Sequence, residues 1–205
     1  RDFYGVPENI LEFYPLGGNV YDDDYYELVR NETRESLNLS ENHVLFVQSG
    51  KMDKSKKILE TLLAFTKLED ENARLFLAGS LLDEISDQAN SIIKKDNRIR
   101  FLGWQSPDDL RALLCAADVY VQPGTQSATM QMSLCARCAV ILDDVPSHMP
   151  YVESNGWLIS KSVSLQEALE RAMLDREKLN SMGSQSHAIA LKFLDYRVLA
   201  ARICR

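Results

Sequence analysis

From His43 onward the chain alternates short β-rich runs with segments of helical apolar periodicity, and no other feature constrains its fold as strongly. Strands separated by helices return in the same direction, which builds a parallel sheet wrapped by helices. Strands are expected near residues 43–48, 74–78, 99–102, 118–122, 139–142 and 156–159. Between them Ile58, Leu59, Leu62, Leu63 and Phe65, and later Leu110, Leu113 and Leu114, recur at helical spacing and supply one buried stripe per helix. The Asp108-Asp109 pair falls where carboxylates favour the start of the helix that precedes Ala117. The fold class is therefore α/β, a Rossmann-like doubly wound parallel sheet.

Before residue 43 the pattern differs. An apolar run over Ile10 to Tyr14, a turn at Pro15-Leu16-Gly17-Gly18 and an acidic aromatic patch from Tyr21 to Tyr26 read as a hinge plus one short helix, over residues 1–42. After Val163 the pattern is helical through Leu165, Ala168, Leu169, Ala172 and Met173, and again from Ala188 to Ile203, with a break expected at Met182-Gly183-Ser184. The expected division is a hinge over 1–42, a ligand-binding domain over 43–185, and a C-terminal helix over 186–205 that packs back toward the hinge or a missing N-terminal domain. Beginning Arg1-Asp2-Phe3-Tyr4 with no initiator methionine, the chain reads as a fragment of a longer protein.

A net charge of -7 disfavours nucleic acid as a partner, since backbone-phosphate recognition needs a basic face. Against that background the stretch Gly50-Lys51-Met52-Asp53-Lys54-Ser55-Lys56-Lys57 stands out, directly after the apolar run Val44-Leu45-Phe46-Val47. A strand that ends in a glycine and passes to a helix presents unpaired N–H groups and a positive dipole end, and the lysines strengthen that field. The expected guest is a small anion such as phosphate; the alternative is a solvated helix face. No apolar run of about 18 residues spans a bilayer, and the N-terminus lacks a signal-peptide pattern. With only four cysteines in 205 residues a cytoplasmic location is expected, and the sequons at Asn31 and Asn38 read as chance.

Other chemistries fit less well. Cys135-Ala136-Arg137-Cys138 is formally a C-x-x-C motif, but it falls at a helix end, where no dipole supports a thiolate, and no second pair completes a metal shell. Both thiols read as small buried hydrophobes. Among the histidines only His148, in the loop after Asp143-Asp144, is expected to face the site. Neither a Gly-x-Ser-x-Gly elbow nor a Gly-x-Gly-x-x-Gly turn occurs after any strand.

Further features belong together in order: Gly50-Lys51 with Lys56, the helix ending Leu62-Leu63-Ala64-Phe65, Leu77-Ala78-Gly79, Ile99-Arg100-Phe101-Leu102-Gly103-Trp104, Asp109-Leu110, Ala116-Ala117-Asp118-Val119-Tyr120-Val121-Gln122-Pro123, Val140-Ile141, Asp144, Pro150 and Asn155-Gly156. This set resembles the C-terminal donor-binding domain of GT-B glycosyltransferases, most closely the retaining family 4 type, and the resemblance runs through nearly the whole chain. It implies one half of a GT-B fold with C-terminal helices, and a nucleotide sugar lying outside the carboxyl ends of the strands. Lys51 and Lys56 are then the contacts to the donor diphosphate, a role the cationic βα turn suggests independently, while Lys54 and Lys57 read equally as solvated neighbours. Gly103 and Trp104 fall where the family reads the nucleotide base; Trp104 reads equally as a surface aromatic. Gly79 and Ser80 line the same crevice or simply end a strand.

The segment Pro123-Gly124-Thr125-Gln126-Ser127-Ala128-Thr129 suits both a helix N-cap and a phosphate cradle, so Gly124, Thr125, Ser127, Ala128 and Thr129 are candidate ligand contacts. Here the chain departs from the family, whose usual pattern holds two glutamates eight positions apart. Gly124 stands at the first and Met132 at the second, or Gln131 at the second after a one-residue shift. Gln131 retains a hydroxyl-binding amide, Met132 does not, and Arg137 replaces a usual glycine.

The resemblance implies transfer of a glycosyl group from a nucleoside-diphosphate sugar to a saccharide or glycoconjugate acceptor held by the missing domain. It also implies no metal or other cofactor, a role in bacterial surface polysaccharide synthesis, and peripheral membrane association of the full-length protein. The alternatives are a non-catalytic nucleotide or phosphosugar-binding module that has lost its acidic motif, and an α/β interaction domain with no small ligand.

Overall fold

The computed structural model describes Gly5, Pro7 and residues 11–203. Ile10, which opens the expected apolar run, and Cys204 lie outside the described residues. Six strands appear where the apolar runs place them: β1 (Val44–Met52), β2 (Ala73–Leu81), β3 (Ile99–Gly103), β4 (Val119–Gln122), β5 (Ala139–Asp143) and β6 (Gly156–Ile159). Their order is β3-β2-β1-β4-β5-β6 and every pairing is parallel. Because β1 returns to one side through β2 and the chain then crosses to β4 on the other, the switch point lies between β1 and β4.

Helices α1 (Asp23–Ser36), α2 (Ile58–Phe65), α3 (Asp83–Ile93), α4 (Pro107–Ala116), α5 (Ala128–Cys135), α6 (Leu165–Leu174), α7 (Arg176–Phe193) and α8 (Tyr196–Ile203) cover the sheet. The alternation of side chains along each central strand divides the core in two. Leu45, Val47, Tyr120, Val140 and Leu142 face one side with Leu113, Leu134, Ile189 and Leu194. Phe46, Leu75, Leu77, Val121 and Ile141 face the other with Ile58, Leu62, Phe65 and Leu169. Burial on both faces is why the central strands read as unbroken apolar runs.

Three local expectations are corrected. Strand β1 does not end at Gly50 but runs on to Met52, pairing Gly50 with Gly79 and Lys51 with Ser80. Lys51 thus lies in β1, Lys54 and Lys56 occupy a 3₁₀ turn, and Lys57 joins that turn to α2. Helix α1 is 14 residues, longer than the short helix expected, and starts inside the acidic aromatic patch, where the Asp22 carboxylate caps the Tyr25 N–H.

No break occurs at Met182-Gly183-Ser184: α7 passes through it and across the expected boundary after residue 185. Gly183 instead marks a close approach, since a Cβ there would lie 2.6 Å from the Arg137 carbonyl oxygen. The helical breaks fall at Asp175 and at Leu194-Asp195.

At the N-terminal ends of β1 and β4 the buried Asp118 carboxylate accepts from Arg30 Nη2 at 2.5 Å, Arg34 Nη1 at 3.2 Å and Leu45 N at 2.8 Å, fastening α1 to the sheet. The hinge segment is held by the last helices. Gly18 N donates to Leu194 O at 2.9 Å, Tyr196 N donates to Gly18 O at 3.1 Å, and the Tyr14 hydroxyl donates to Leu199 O. Among the described residues no helix is long and apolar enough to cross a membrane.

Candidate functional site

The carboxyl ends of β1 and β4 carry the lysine turn and the loop before α5, one on each side of the switch point. Gln48 and Ser49, midway along β1, and Tyr120 and Gln122 in β4 are buried polar side chains, although Val44–Val47, Val119 and Val121 are apolar. Ser49 Oγ and the Tyr120 hydroxyl pair with each other at 3.0 Å, while Gln48 and Gln122 find partners in the loops above. Gln48 Nε2 donates to Lys56 O at 2.8 Å. Gln122 Nε2 donates to Thr125 O at 2.5 Å, while its Oε1 accepts from Ser127 Oγ at 2.6 Å and from the Tyr120 hydroxyl at 3.1 Å. A strand end that satisfies loop groups in this way holds the loop in one shape.

The two turns also grip each other directly. Lys56 Nζ donates to Thr125 O at 2.5 Å and Gln126 O at 3.1 Å, and Thr125 N donates to Ser55 O at 3.2 Å. Gly124 sits at φ 109°, and a Cβ there would meet Ser55 O at 2.1 Å, so only glycine allows the turns this close. Ser127 caps α5 by accepting from Met130 N at 3.3 Å. Ala128 is exposed and Thr129 half-buried on the first turn of that helix.

Charge at this end is only partly balanced. Lys54 pairs with Glu84 at 3.6 Å and Lys57 with Asp143 Oδ2 at 2.5 Å. Lys51 is exposed. Burial lowers the pKa of Lys56, with Asp53 opposing that shift. Asp53 caps the 3₁₀ turn, and its carboxyl is held below the usual range first by the hydrogen bond from Ser55. An ammonium whose direct acceptors are neutral carbonyls gains more from an anion than from either carbonyl.

The structure brings together Lys56, Gly124, Thr125 and Ser127, with Ala128 and Thr129 immediately beyond. Lys51 stands on the same end of the sheet, one strand from Ser80. Gly79, at φ 136°, is buried against Gly50: a Cβ there would lie 2.0 Å from Gly50 O, so close backbone approach accounts for it. Gly103, at φ 69°, and Trp104 lie farther out, at the end of the edge strand β3, and Trp104 is 79% exposed.

Gln131 departs from expectation. Its Oε1 accepts from Gly17 N at 2.8 Å and its Nε2 donates to the Tyr151 hydroxyl at 3.1 Å, so the amide ties the hinge to the loop after β5 and is 4% exposed. A ligand contact there first requires those bonds to open. His148, expected to face the site, is instead fully buried, with Nδ1 donating to Asp143 O at 2.8 Å.

The residues that sequence reasoning missed are Gln48, Gln122 and Asp143. The signal for them is a polar side chain directly after the apolar stretch of an interior strand, toward the carboxyl end of the sheet. Asp143 Oδ2 accepts both Lys57 Nζ and, at 3.1 Å, Gly124 N. Among the described residues no group of three His, Cys, Asp or Glu side chains could hold a metal ion.

Concave volumes occur elsewhere among the described residues. One of about 250 Å³ is lined by Tyr26, Arg30, Asp118, Arg137 and Asn180 at the opposite end of β1 and β4. Another of about 560 Å³ is lined by Phe13, Pro15, Tyr151 and Phe193 beside the hinge. Between the lysine turn and the α5 loop the two segments close directly on each other through Lys56 and Thr125.

Residues 29–188 match the family model described as glycosyl transferases group 1. No curated protein sequence matches the chain. Among solved structures, HepE from Anabaena in complex with UDP and glucose is similar with a TM-score of 0.72 at 21% identity, over 92% of this chain and 55% of that one. WaaG, a glycosyltransferase involved in lipopolysaccharide biosynthesis, gives 0.73 at 20% identity, over 91% and 54%. Sucrose-phosphate synthase from Thermosynechococcus elongatus gives 0.77 at 18% identity, over 94% and 50%. The chain thus spans about half the length of these structures. With most of its sheet and helices inside the family match, the chain belongs to the group 1 glycosyl transferases, and its fold is one Rossmann-like half of a GT-B architecture.

Proposed function

We propose that this chain is the donor-binding domain of a glycosyltransferase of the retaining family 4 type, taking a nucleoside-diphosphate sugar at the carboxyl ends of β1 and β4. The observation that carries this reading is the Lys56 ammonium reaching across the switch point to Thr125 O and Gln126 O. An arriving diphosphate replaces those carbonyls with a charge-assisted contact. Lys51 and the first N–H groups of α5 supply the rest of the field, and together they stabilise charge on the departing phosphate. Gly103 and Trp104 take the base, and Gly79 borders the crevice. The UDP and UDP-glucose held in the HepE structures support a nucleotide sugar as the guest.

The proposal extends to the whole protein. Residues 1–42, with α1, are assigned to the hinge, 43–185 to the nucleotide-sugar domain, and 186–205, the end of α7 with α8, to the part returning to the hinge or to an N-terminal domain that holds a saccharide or glycoconjugate acceptor. Surface polysaccharide synthesis in the cytoplasm, with peripheral membrane association, is the proposed setting. The chain alone is expected to bind nucleotide and transfer no sugar, because the acceptor is positioned by the other domain. Robust transfer by the isolated chain to an added saccharide contradicts this.

A second reading rests on one observation: Gly124, Gln131 and Met132 offer no carboxylate where the family holds its pair, which suits a non-catalytic binding module. Sugar release by the full-length protein separates the two.

Lys51 and Lys56 each contribute roughly 1.5–3 kcal/mol if they contact a diphosphate. Lys51→Ala or Lys56→Ala is therefore expected to weaken binding of UDP, GDP or ADP at least about tenfold by calorimetry. Lys54→Ala is the control of equal charge change, since that side chain only meets Glu84 at the surface; it is expected to lose a small, salt-screened share. Equal losses at all three positions, or none, overturn the site.

A further inference from the structure

Asp143 ends β5 at the same end of the sheet as the lysine turn. Its side chain follows Ala139 and Ile141 by the two-residue period of a strand, and Gln48 follows Phe46 likewise, so both face the α2 side. The carboxylate is held from two directions: Lys57 Nζ at 2.5 Å and Gly124 N at 3.1 Å both donate to Oδ2. Oδ1 is buried and, among the described residues, no donor reaches it.

A buried carboxylate oxygen left without a donor is costly, roughly 1–3 kcal/mol, and persists where a donor from outside the chain completes it. Among the described residues four buried side-chain atoms lack a partner, and three of them belong to the strands and loops at this end: Gln48 Oε1, Asp143 Oδ1 and His148 Nε2. Gln48 Oε1 and Asp143 Oδ1 are acceptors, and His148 Nε2 is one whenever the ring is neutral. Gln48 spends its Nε2 on Lys56 O, which leaves the oxygen free. His148 Nδ1 faces the Asp143 carbonyl and must donate to it, so Nε2 of the neutral ring carries the lone pair.

Acceptors without donors are met by O–H groups, those of water or of a ligand that displaces it. Phosphate brings none, and a carboxylate repels it. A metal ion is not required either, because Lys57 already balances the Asp143 charge. We propose that Asp143 reads a hydroxyl of the sugar carried on the nucleotide, Oδ1 accepting that O–H while Lys57 and Gly124 hold the carboxylate in place; the inference rests on the donor-binding reading above. The Gly124 loop lies against this carboxylate and is tied to Lys56, so the exchange of Lys56 from carbonyls to phosphate also frees the loop beside Asp143.

Calorimetry with UDP against UDP-glucose, and with the GDP and ADP pairs, tests this in native chain, Asp143→Asn and Lys57→Gln. Asp143→Asn is expected to lose about tenfold more affinity for the nucleotide sugar than for the matching nucleoside diphosphate. Lys57→Gln breaks the same ion pair but keeps the carboxylate, and is expected to retain most of the sugar preference. On the native chain at least one monodeoxy-sugar donor is expected to bind about tenfold more weakly than its parent, which reads the same contact without a substitution. Equal weakening for nucleotide and nucleotide sugar in Asp143→Asn, no weakening of either, matching losses in Lys57→Gln, or indifference to every deoxy analogue overturns the assignment of Asp143 while leaving the diphosphate site standing. Failure of the native chain to bind any nucleoside diphosphate removes the donor-binding reading itself.

Discussion

Single residues at the carboxyl end of the sheet show what one sequence discloses about a site and what it conceals. The place of Lys56 at the carboxyl end of the sheet was legible, because Lys51, Lys54, Lys56 and Lys57 follow an apolar strand in an acidic chain and are conspicuous without coordinates. Asp143 and Gln122 were not, since the partners that define them, Lys57 and Gly124 for one and Thr125 and Ser127 for the other, are set by the juxtaposition of separate strands. The cysteines show the converse, a motif whose surroundings cancel it. Burial pushes the Cys135 thiol to about 12 and the Cys115 thiol to about 11, and it raises Cys138 well above its ordinary value. Thiolate is the reacting species, so none of the three is nucleophilic near neutrality. Brief alkylation at pH 8 followed by peptide mapping is expected to mark these three only after denaturation. Rapid native labelling of Cys135 or Cys138, or a reversible disulfide between them, contradicts that.

Among whole elements, strand positions came through well and strand or helix ends less so. Apolar runs buried on two faces leave an unmistakable trace, and all six strands lie where it points. Ends are set by partners instead. Gly50 and Lys51 resemble a turn, yet pairing with Gly79 and Ser80 keeps them in β1. Gly183 resembles a helix break, yet it permits α7 to pass against the Arg137 carbonyl. The two meanings of a helical glycine predict opposite mutant behaviour. An ordinary Gly→Ala change inside a helix stabilises by roughly 0.5–1 kcal/mol. Gly183→Ala forces a Cβ to 2.6 Å from a backbone oxygen that cannot swing away, so a net loss of about 1–3 kcal/mol is expected in urea denaturation. Ser184→Ala, exposed on the neighbouring position, is expected to be near neutral. A stabilised Gly183→Ala protein removes the close-contact account of α7.

Taken whole, the molecule separates its functions by the two ends of one sheet. The amino ends of β1 and β4 are closed by Asp118 and its arginines, a buried ionic cluster that fastens α1. The carboxyl ends hold glycines, lysines and capped loops around the switch point, where open α/β sheets receive ligands. The cavity beside Arg30 and Arg137 offers a rival anion site at the wrong end for this account. Amide chemical-shift mapping during titration of the isotope-labelled chain with UDP, GDP and ADP distinguishes the two ends directly. The account predicts saturable shifts at Gly50–Lys57 and Gly124–Thr129, with Tyr26, Arg30 and Asn180 unmoved. Shifts confined to Tyr26, Arg30, Arg137 and Asn180, or none with any of the three nucleotides, would contradict it.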